Sequence, residues 1–198
     1  MQQPPPARLT YVAIGASDTF GIGSDDPLTQ SWPVDLANKL GTGVRLINLG
    51  VPGIDAPTAL QMELPVALDV HPDIITVWLA VNDLVDKVPV AEYQRDLDQL
   101  LARLHSAAPQ ARILVANIPD LSLVPHFQKS NLQALHAQID SYNQAIAVDV
   151  AREHVMLVDL TNLWQALADH PEYISDDGFH PSTQGYAQLA AVFYQALS

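Results

Sequence analysis

A serine stands in a turn of small residues near the start of the chain, in the stretch GASDTFGIG of residues 15–23. A serine hydroxyl becomes a nucleophile when an adjacent base accepts its proton and nearby hydrogen-bond donors stabilise the oxyanion that forms. Taken alone, Ser17 is compatible with a turn residue, a phosphate-loop residue or a nucleophile. The rest of the sequence must supply the partners that distinguish these roles.

Five short apolar runs predict the strands that would position such a site. The runs are almost entirely apolar rather than alternating, which is typical of parallel strands covered by helices on both faces. They span residues 9–14, 44–49, 74–80, 113–118 and 155–160.

The segments between these runs have the period of amphipathic helices, with apolar side chains every three or four positions. Helices are predicted over residues 34–40, 57–64, 90–105, 128–154, 163–168 and 183–197. Strands that alternate with helices predict an α/β fold, a three-layer α/β/α sandwich around a five-stranded, mostly parallel, flavodoxin-like sheet. We expect residues 9–198 to form a single domain and residues 1–8 to form a mobile leader.

The turns that follow the predicted strands are rich in Gly, Asn, Asp, Ser and His. Sites in open parallel sheets form beyond the carboxyl ends of the strands, which places these turns along one edge. Each turn also has an ordinary structural interpretation, because glycine permits positive φ and Asn or Asp stabilises turns. The stretches after the first four strands are GASD (15–18), NLGVPGIDA (48–56), AVNDL (80–84) and NIPDLSLVP (117–125). The last stretch, SDDGFHPS (175–182), comes after the fifth strand and a short predicted helix.

Four of these stretches, in this order, resemble the blocks of the GDSL/SGNH hydrolases, and the resemblance runs from about residue 9 to the end of the sequence. It implies a serine hydrolase that cleaves acyl esters through an acyl-enzyme intermediate. Ser17 matches the nucleophile, His180 the base and Asp177 the acid. The resemblance also implies an oxyanion hole made of the backbone N–H groups of Ser17 and Gly53 and the side-chain amide of Asn82.

Two positions depart from the family pattern. The family usually has Asp directly before the serine, where this chain has Ala16 and carries Asp18 after the serine instead. Its third block usually begins with Gly, where this chain has Ala80. Neither change removes a group that does chemistry, although the first affects how the turn is held. Asp176 is a rival for the acid, but the family spacing favours Asp177.

Composition excludes several other kinds of site. A formal net charge of −13 disfavours nucleic acid and anionic membranes as partners, so we expect a small-molecule acyl ester and no stable membrane insertion. The absence of cysteine excludes disulfides and thiol catalysis. Histidines without paired ligand spacing and the lack of a phosphate-binding loop predict neither a metal nor a cofactor. The sequence favours a cytoplasmic location, and it is also compatible with an exported protein whose signal peptide has been removed. The oligomeric state stays open.

Three interpretations remain open at this level. The first is an ester hydrolase of the esterase, lipase, lysophospholipase or thioesterase type, with a carbohydrate O-acetyl esterase as a variant. The second is a non-catalytic module that binds esters or glycans on the same fold. The third is a flavodoxin-like nucleotide-binding protein. The residues that could line an acyl pocket, each equally compatible with the core, are Phe20, Trp32, Phe127, Trp164 and Tyr173.

Overall fold

The sheet has five strands, and every pair of neighbours in it is parallel. The computed structural model describes residues 9–197, and the predicted leader over residues 1–8 lies outside them. The spatial order is β2-β1-β3-β4-β5, which is the flavodoxin-like order, so the predicted fold class is confirmed. The strands are β1 (Leu9–Gly15), β2 (Val44–Asn48), β3 (Ile74–Trp78), β4 (Arg112–Ala116) and β5 (Met156–Val158).

The helices of the described residues cover both faces of this sheet. The one predicted over residues 57–64 is short and is followed by a second, because Pro65 lacks an N–H group and cannot continue the first. The helices are α1 (Ser17–Phe20), α2 (Pro27–Gln30), α3 (Trp32–Leu40), α4 (Ala56–Met62), α5 (Leu64–Asp69), α6 (Val81–Val85), α7 (Val90–Ala107), α8 (Leu132–Arg152) and α9 (Thr183–Leu197). Short 3₁₀ turns occur at Leu121–Leu123, Pro125–Phe127, Gln165–Ala168 and Pro171–Tyr173, so the helix predicted over residues 163–168 is a 3₁₀ turn.

Two apolar layers hold the helices against the sheet. Alternate residues of β1 face opposite layers: Val12 and Ile14 pack with α4, α5, α7 and α8, whereas Tyr11 and Ala13 pack with α3 and α9. All five residues of β3 are buried, as expected for a strand covered on both faces. Each fully buried Leu, Ile or Val contributes about 1.5–3 kcal/mol, so these layers fix the position of the strand ends.

The carboxyl ends of the strands form the edge on which the predicted site residues lie. Because β1 lies between β2 and β3, the turn after β1 is flanked by the turns that follow both neighbours. The N–H of Val51 donates to the carbonyl of Gly15 at 3.1 Å, which joins two of these turns directly. No helix among residues 9–197 has both the length and the apolarity that a membrane span requires.

Candidate active site

Ser17 lies in a sharp turn from strand into helix. β1 ends at Gly15 and α1 begins at Ser17. A Cβ atom at Gly15 would collide with the Thr19 hydroxyl and with the carbonyl oxygen of Trp78, so this turn requires glycine. The first N–H groups of a helix have no acceptor within the helix, which leaves the N–H of Ser17 available to a ligand.

His180 reaches Ser17 from a loop near the other end of the chain. Its Nε2 lies 3.0 Å from Oγ of Ser17, and its Nδ1 lies 2.6 Å from Oδ2 of Asp177. The two ring nitrogens therefore serve different partners, in the order carboxylate, imidazole, hydroxyl. The side chain of Asp176 is exposed and makes no hydrogen bond to the ring, so the carboxylate that contacts His180 is the one favoured by the sequence spacing.

Asp177 accepts several hydrogen bonds that fix the loop around it. Its Oδ1 accepts from the Ser175 hydroxyl at 2.8 Å and from the N–H groups of Phe179 and His180 at 2.7 and 2.9 Å. Burial acts to raise the pKa of Asp177, but the hydrogen bonds from His180 and the other donors outweigh it and hold that pKa well below its usual range. The ionised carboxylate favours the tautomer with hydrogen on Nδ1, which leaves Nε2 free to accept a proton.

Gly53 lies on the turn that follows β2, and Asn82 lies in the first turn of α6, shortly after β3, so they stand on either side of the Ser17 turn. Gly53 has a φ of +82°, and a Cβ atom there would meet no atom within 4 Å apart from its own chain neighbours, so the space on its Cα is open. Nδ2 of Asn82 donates to the carbonyl of Ile54 at 2.7 Å. That bond uses one of its two amide hydrogens and leaves the other for a ligand.

Two adjacent side chains of α6 hold the turn that contains Gly53. Besides the bond from Asn82 to Ile54, the carboxylate of Asp83 accepts from the N–H of Ala56 at 3.3 and 3.2 Å. Asp83 is fully buried, and burial raises its pKa to about 6 although the Ala56 N–H acts to lower it. The sequence did not indicate this role of Asp83; its place directly after Asn82 is the signal that could have done so.

A second Ser–His–Asp cluster lies on the turn after β4, but its geometry differs. Nε2 of His136 contacts both Ser122 Oγ at 2.9 Å and Asp120 Oδ1 at 3.2 Å, while Ser122 donates to Asp120 at 2.6 Å. The same ring nitrogen serves both partners, and the serine proton already points to the carboxylate. This cluster therefore cannot pass a proton from serine to imidazole in the way that activates a nucleophile. No group of three or more His, Asp or Glu side chains suited to a metal occurs among residues 9–197.

A buried carboxyl lies behind the Ser17 turn. Glu63 is 2% exposed, its Oε1 accepts from the N–H of Gly15 at 3.3 Å, and its Oε2 has no hydrogen-bond partner. Burial raises the pKa of Glu63 to about 8, although the Gly15 N–H acts to lower it. No sequence signal pointed to this residue, because glutamate in a helical stretch is ordinarily exposed.

We expect Glu63→Gln to remove a pH dependence of stability. The pKa of the folded state lies above the ordinary 4.5, so the wild type loses stability as the pH rises from about 4.5 to about 8. Glutamine keeps an acceptor for Gly15 and has no charge to bury. Unfolding measured at about pH 5 and about pH 9 should show the variant gaining on the wild type by on the order of 3 kcal/mol at the higher pH. An equal difference at both pH values would contradict this account of Glu63.

Residues 13–188 match the sequence profile of the GDSL-like lipase/acylhydrolase family. The chain belongs to this family. The GDSL hydrolase is 23% identical to an arylesterase of Vibrio mimicus, over 91% of this chain and 84% of that protein. It is 24% identical to an acetylxylan esterase of Xylanibacter ruminicola, over 96% of this chain but only 43% of that protein. The crystal structure of TesA superposes with a TM-score of 0.77 at 21% identity, over 96% of this chain and 98% of that one, which shows the shared fold.

Family membership makes the GDSL hydrolase a carboxylic ester hydrolase that acts on small-molecule esters. The interpretation as a serine ester hydrolase is thereby confirmed over the two alternatives, a binding module and a nucleotide-binding protein. Within the structure, Ser17, His180 and Asp177 form one hydrogen-bonded row, and Gly53 and Asn82 lie on the flanking turns. The chemical role of each of these five residues stays a prediction.

Proposed function

We propose that the GDSL hydrolase cleaves small acyl esters with Ser17 as the nucleophile, His180 as the general base and Asp177 as the residue that orients the ring. The row of contacts from Oδ2 through Nδ1 and Nε2 to Oγ, at 2.6 and 3.0 Å, carries this proposal. Both distances lie within hydrogen-bond reach, which proton transfer requires. The second Ser–His–Asp cluster, formed by Ser122, His136 and Asp120, contains the same residue types but has no such row.

The reaction has two steps that use the same residues in turn. His180 Nε2 takes the proton of Ser17 as Oγ bonds to the ester carbonyl carbon, and the carbonyl oxygen becomes an oxyanion. The intermediate collapses when the bond to the alcohol breaks, and His180 gives its proton to the departing oxygen. A water molecule, deprotonated by His180, then attacks the acyl-serine, and collapse releases the acid and returns the proton to Ser17. Asp177 stabilises the imidazolium in both steps.

Three donors would stabilise the oxyanion in each step: the N–H groups of Ser17 and Gly53 and the free amide hydrogen of Asn82. The first belongs to the opening turn of α1 and the second to a glycine with open space on its Cα. Asn82 and Asp83 hold the turn that contains Gly53 in place through hydrogen bonds to the backbone of Ile54 and Ala56. Donors fixed in advance are effective because they need no reorganisation when the charge develops.

We expect Asn82→Ala to lower kcat by about 10²–10³, because its amide hydrogen meets a charge that exists fully only in the transition state. KM should change much less than kcat. The variant also loses the bond to Ile54, so thermal unfolding must be measured beside the kinetics. A lowered Tm with normal kcat in the folded fraction would assign Asn82 a structural role only.

An organophosphonate ester provides the direct test of the nucleophile. We expect a single adduct, detected by intact mass and mapped to the peptide that contains Ser17. Ser122 is the matched internal control, because its neighbours have the same residue types but its proton is donated to Asp120. An adduct on Ser122 with Ser17 unmodified would overturn the proposed function.

A carbohydrate O-acetyl ester is the second candidate substrate. It is favoured by the similarity to the acetylxylan esterase, which extends over 96% of this chain. Release of acetate from acetylated xylan, compared with hydrolysis of p-nitrophenyl acetate by the same preparation, separates a carbohydrate esterase from a general esterase. Hydrolysis of the aryl ester alone would exclude this second candidate.

A further inference from the structure

A small cavity is lined by residues adjacent in the chain to Ser17, Asn82 and His180. Its volume is about 20 Å³, which is room for one water-sized or methyl-sized group. Its walls include the immediate chain neighbours of three site residues: Asp18 next to Ser17, Val81 next to Asn82, and Phe179 and Pro181 on either side of His180. Because these wall residues are bonded directly to Ser17, Asn82 and His180, we take the cavity as the space nearest to an acyl group carried by Ser17.

The wall of this cavity is apolar except at Asp18. Its remaining side chains carry no charge: Trp78, Pro119, Leu121, Val124 and Trp164. Asp18 is partly buried and makes no side-chain hydrogen bond to another residue in the described part of the chain. Burial raises the pKa of Asp18 to about 6, while the charge of His180 lowers it and that of Asp177 raises it. Above that pH the carboxylate is ionised.

An ionised carboxylate in an apolar wall selects against long acyl chains. Each methylene added to the acyl group would have to push into a space already filled and would strip water from the charge of Asp18 without replacing its hydrogen bonds. The methyl group of an acetyl ester fits the existing volume and makes neither demand. Position 18 is also one at which this sequence departs from the family pattern. The family usually has a carboxylate directly before the serine, whereas here it follows the serine as Asp18.

We propose that Asp18 limits the acyl group of this enzyme to acetyl by closing the cavity beside Ser17 with a charged wall. The inference rests on the proposed function, because it takes Ser17 as the atom that carries the acyl group. It makes Asp18 a residue that determines specificity and names acetyl esters as the substrate class.

The test is the ratio of kcat/KM for p-nitrophenyl butyrate to that for p-nitrophenyl acetate. A buried methylene is worth roughly a factor of four, so removal of the charged wall should raise this ratio by about fifteenfold for two methylenes. Asp18→Ala removes both volume and charge and should show the full rise. Asp18→Asn keeps the size of the side chain and removes only the charge, so it should show a smaller rise in the same direction. Asp176→Asn is the matched control, because it removes an exposed charge outside the cavity and should leave the ratio unchanged.

Two results would overturn the role of Asp18. One is an unchanged ratio in both Asp18 variants. The other is an equal loss of activity towards both esters in both variants, which would place Asp18 in the reaction rather than in the choice of acyl group. The isosteric asparagine keeps the test available if the alanine variant does not fold. Failure of the proposed function gives a different result, since Ser17→Ala would then stay active whatever the ratio.

Discussion

Ser17→Ala should lower kcat by about 10⁴–10⁶, and His180→Ala should lower it by a similar factor. The two residues act as a unit, because the hydroxyl is a weak nucleophile without the base and the base has nothing to activate without the hydroxyl. The double variant should therefore be little worse than either single variant. Steady-state hydrolysis of p-nitrophenyl acetate measures all three, with Ser122→Ala as the control that keeps wild-type activity.

Additivity is the informative outcome of that experiment. Independent contributions would multiply, and the double variant would then be far less active than the single ones. Such a result would mean that the 3.0 Å contact between Ser17 and His180 does not operate in the reaction. Full activity of Ser17→Ala would refute the assignment of Ser17 as the nucleophile.

Asp177→Asn should lower kcat by about 10³–10⁴ while Asp176→Asn stays near the wild type. Asparagine can still accept from the backbone at Oδ1, but its amide group would face Nδ1 of His180 as a donor. The ring would then favour hydrogen on Nε2, the nitrogen that must accept the proton of Ser17. Asp176 is the control because it changes the same charge on the same loop and makes no bond to the ring.

The two asparagine variants separate three possibilities. Loss of activity in Asp176→Asn with normal activity in Asp177→Asn would mean that Asp176, and not Asp177, is the acid. Normal activity in both would mean that a serine–histidine dyad suffices. The lowered pKa of Asp177 adds a second observable, because the stability that this carboxylate contributes is present above its ordinary pKa of 3.8 and is lost as the pH falls below it. Asp177→Asn should therefore reduce the acid dependence of unfolding.

The sequence predicted the sheet well because its strands are buried on both faces. The run over residues 74–80 lacks the alternation of apolar and polar residues that an amphipathic helix or a half-exposed strand would show. β3 occupies the first five positions of this run. The ends of strands were predicted less well. The run over residues 155–160 contains a strand of only three residues, because β5 pairs with β4 over three residues only. The length of a strand depends on how many residues its neighbour pairs with, and hydrophobicity along the chain does not give this information.

Ser17, Gly53 and Asn82 were recognisable because each lies shortly after the end of a predicted strand. Asp177 and His180 lie farther from β5 and were recognised by the spacing of the family motif, whereas the supporting residues depend on distant contacts. The buried carboxyl of Glu63 accepts a hydrogen bond from Gly15, which lies 48 positions away in the chain. The direction of the Asp18 side chain depends on how α1 leaves the sheet. Of the aromatic residues considered for the pocket, Trp164 lines the cavity, whereas Trp32 is fully buried between α9 and the sheet. Local pattern does not distinguish these two tryptophans.

The separation of 163 positions between Ser17 and His180 also determines when the protein becomes competent during its synthesis. A nascent chain exposes the serine early, directly after the first strand, but lacks the imidazole until nearly all of the described residues have been translated. The sheet must then assemble on both sides of β1, and the loop of residues 175–180 must dock, before the two side chains meet. Contacts this distant in sequence form late because closing a long loop is entropically costly. If Ser17 and His180 act as proposed, we expect partly made chains to be inert towards esters, and the return of activity on refolding to report the final docking of that loop rather than formation of the sheet.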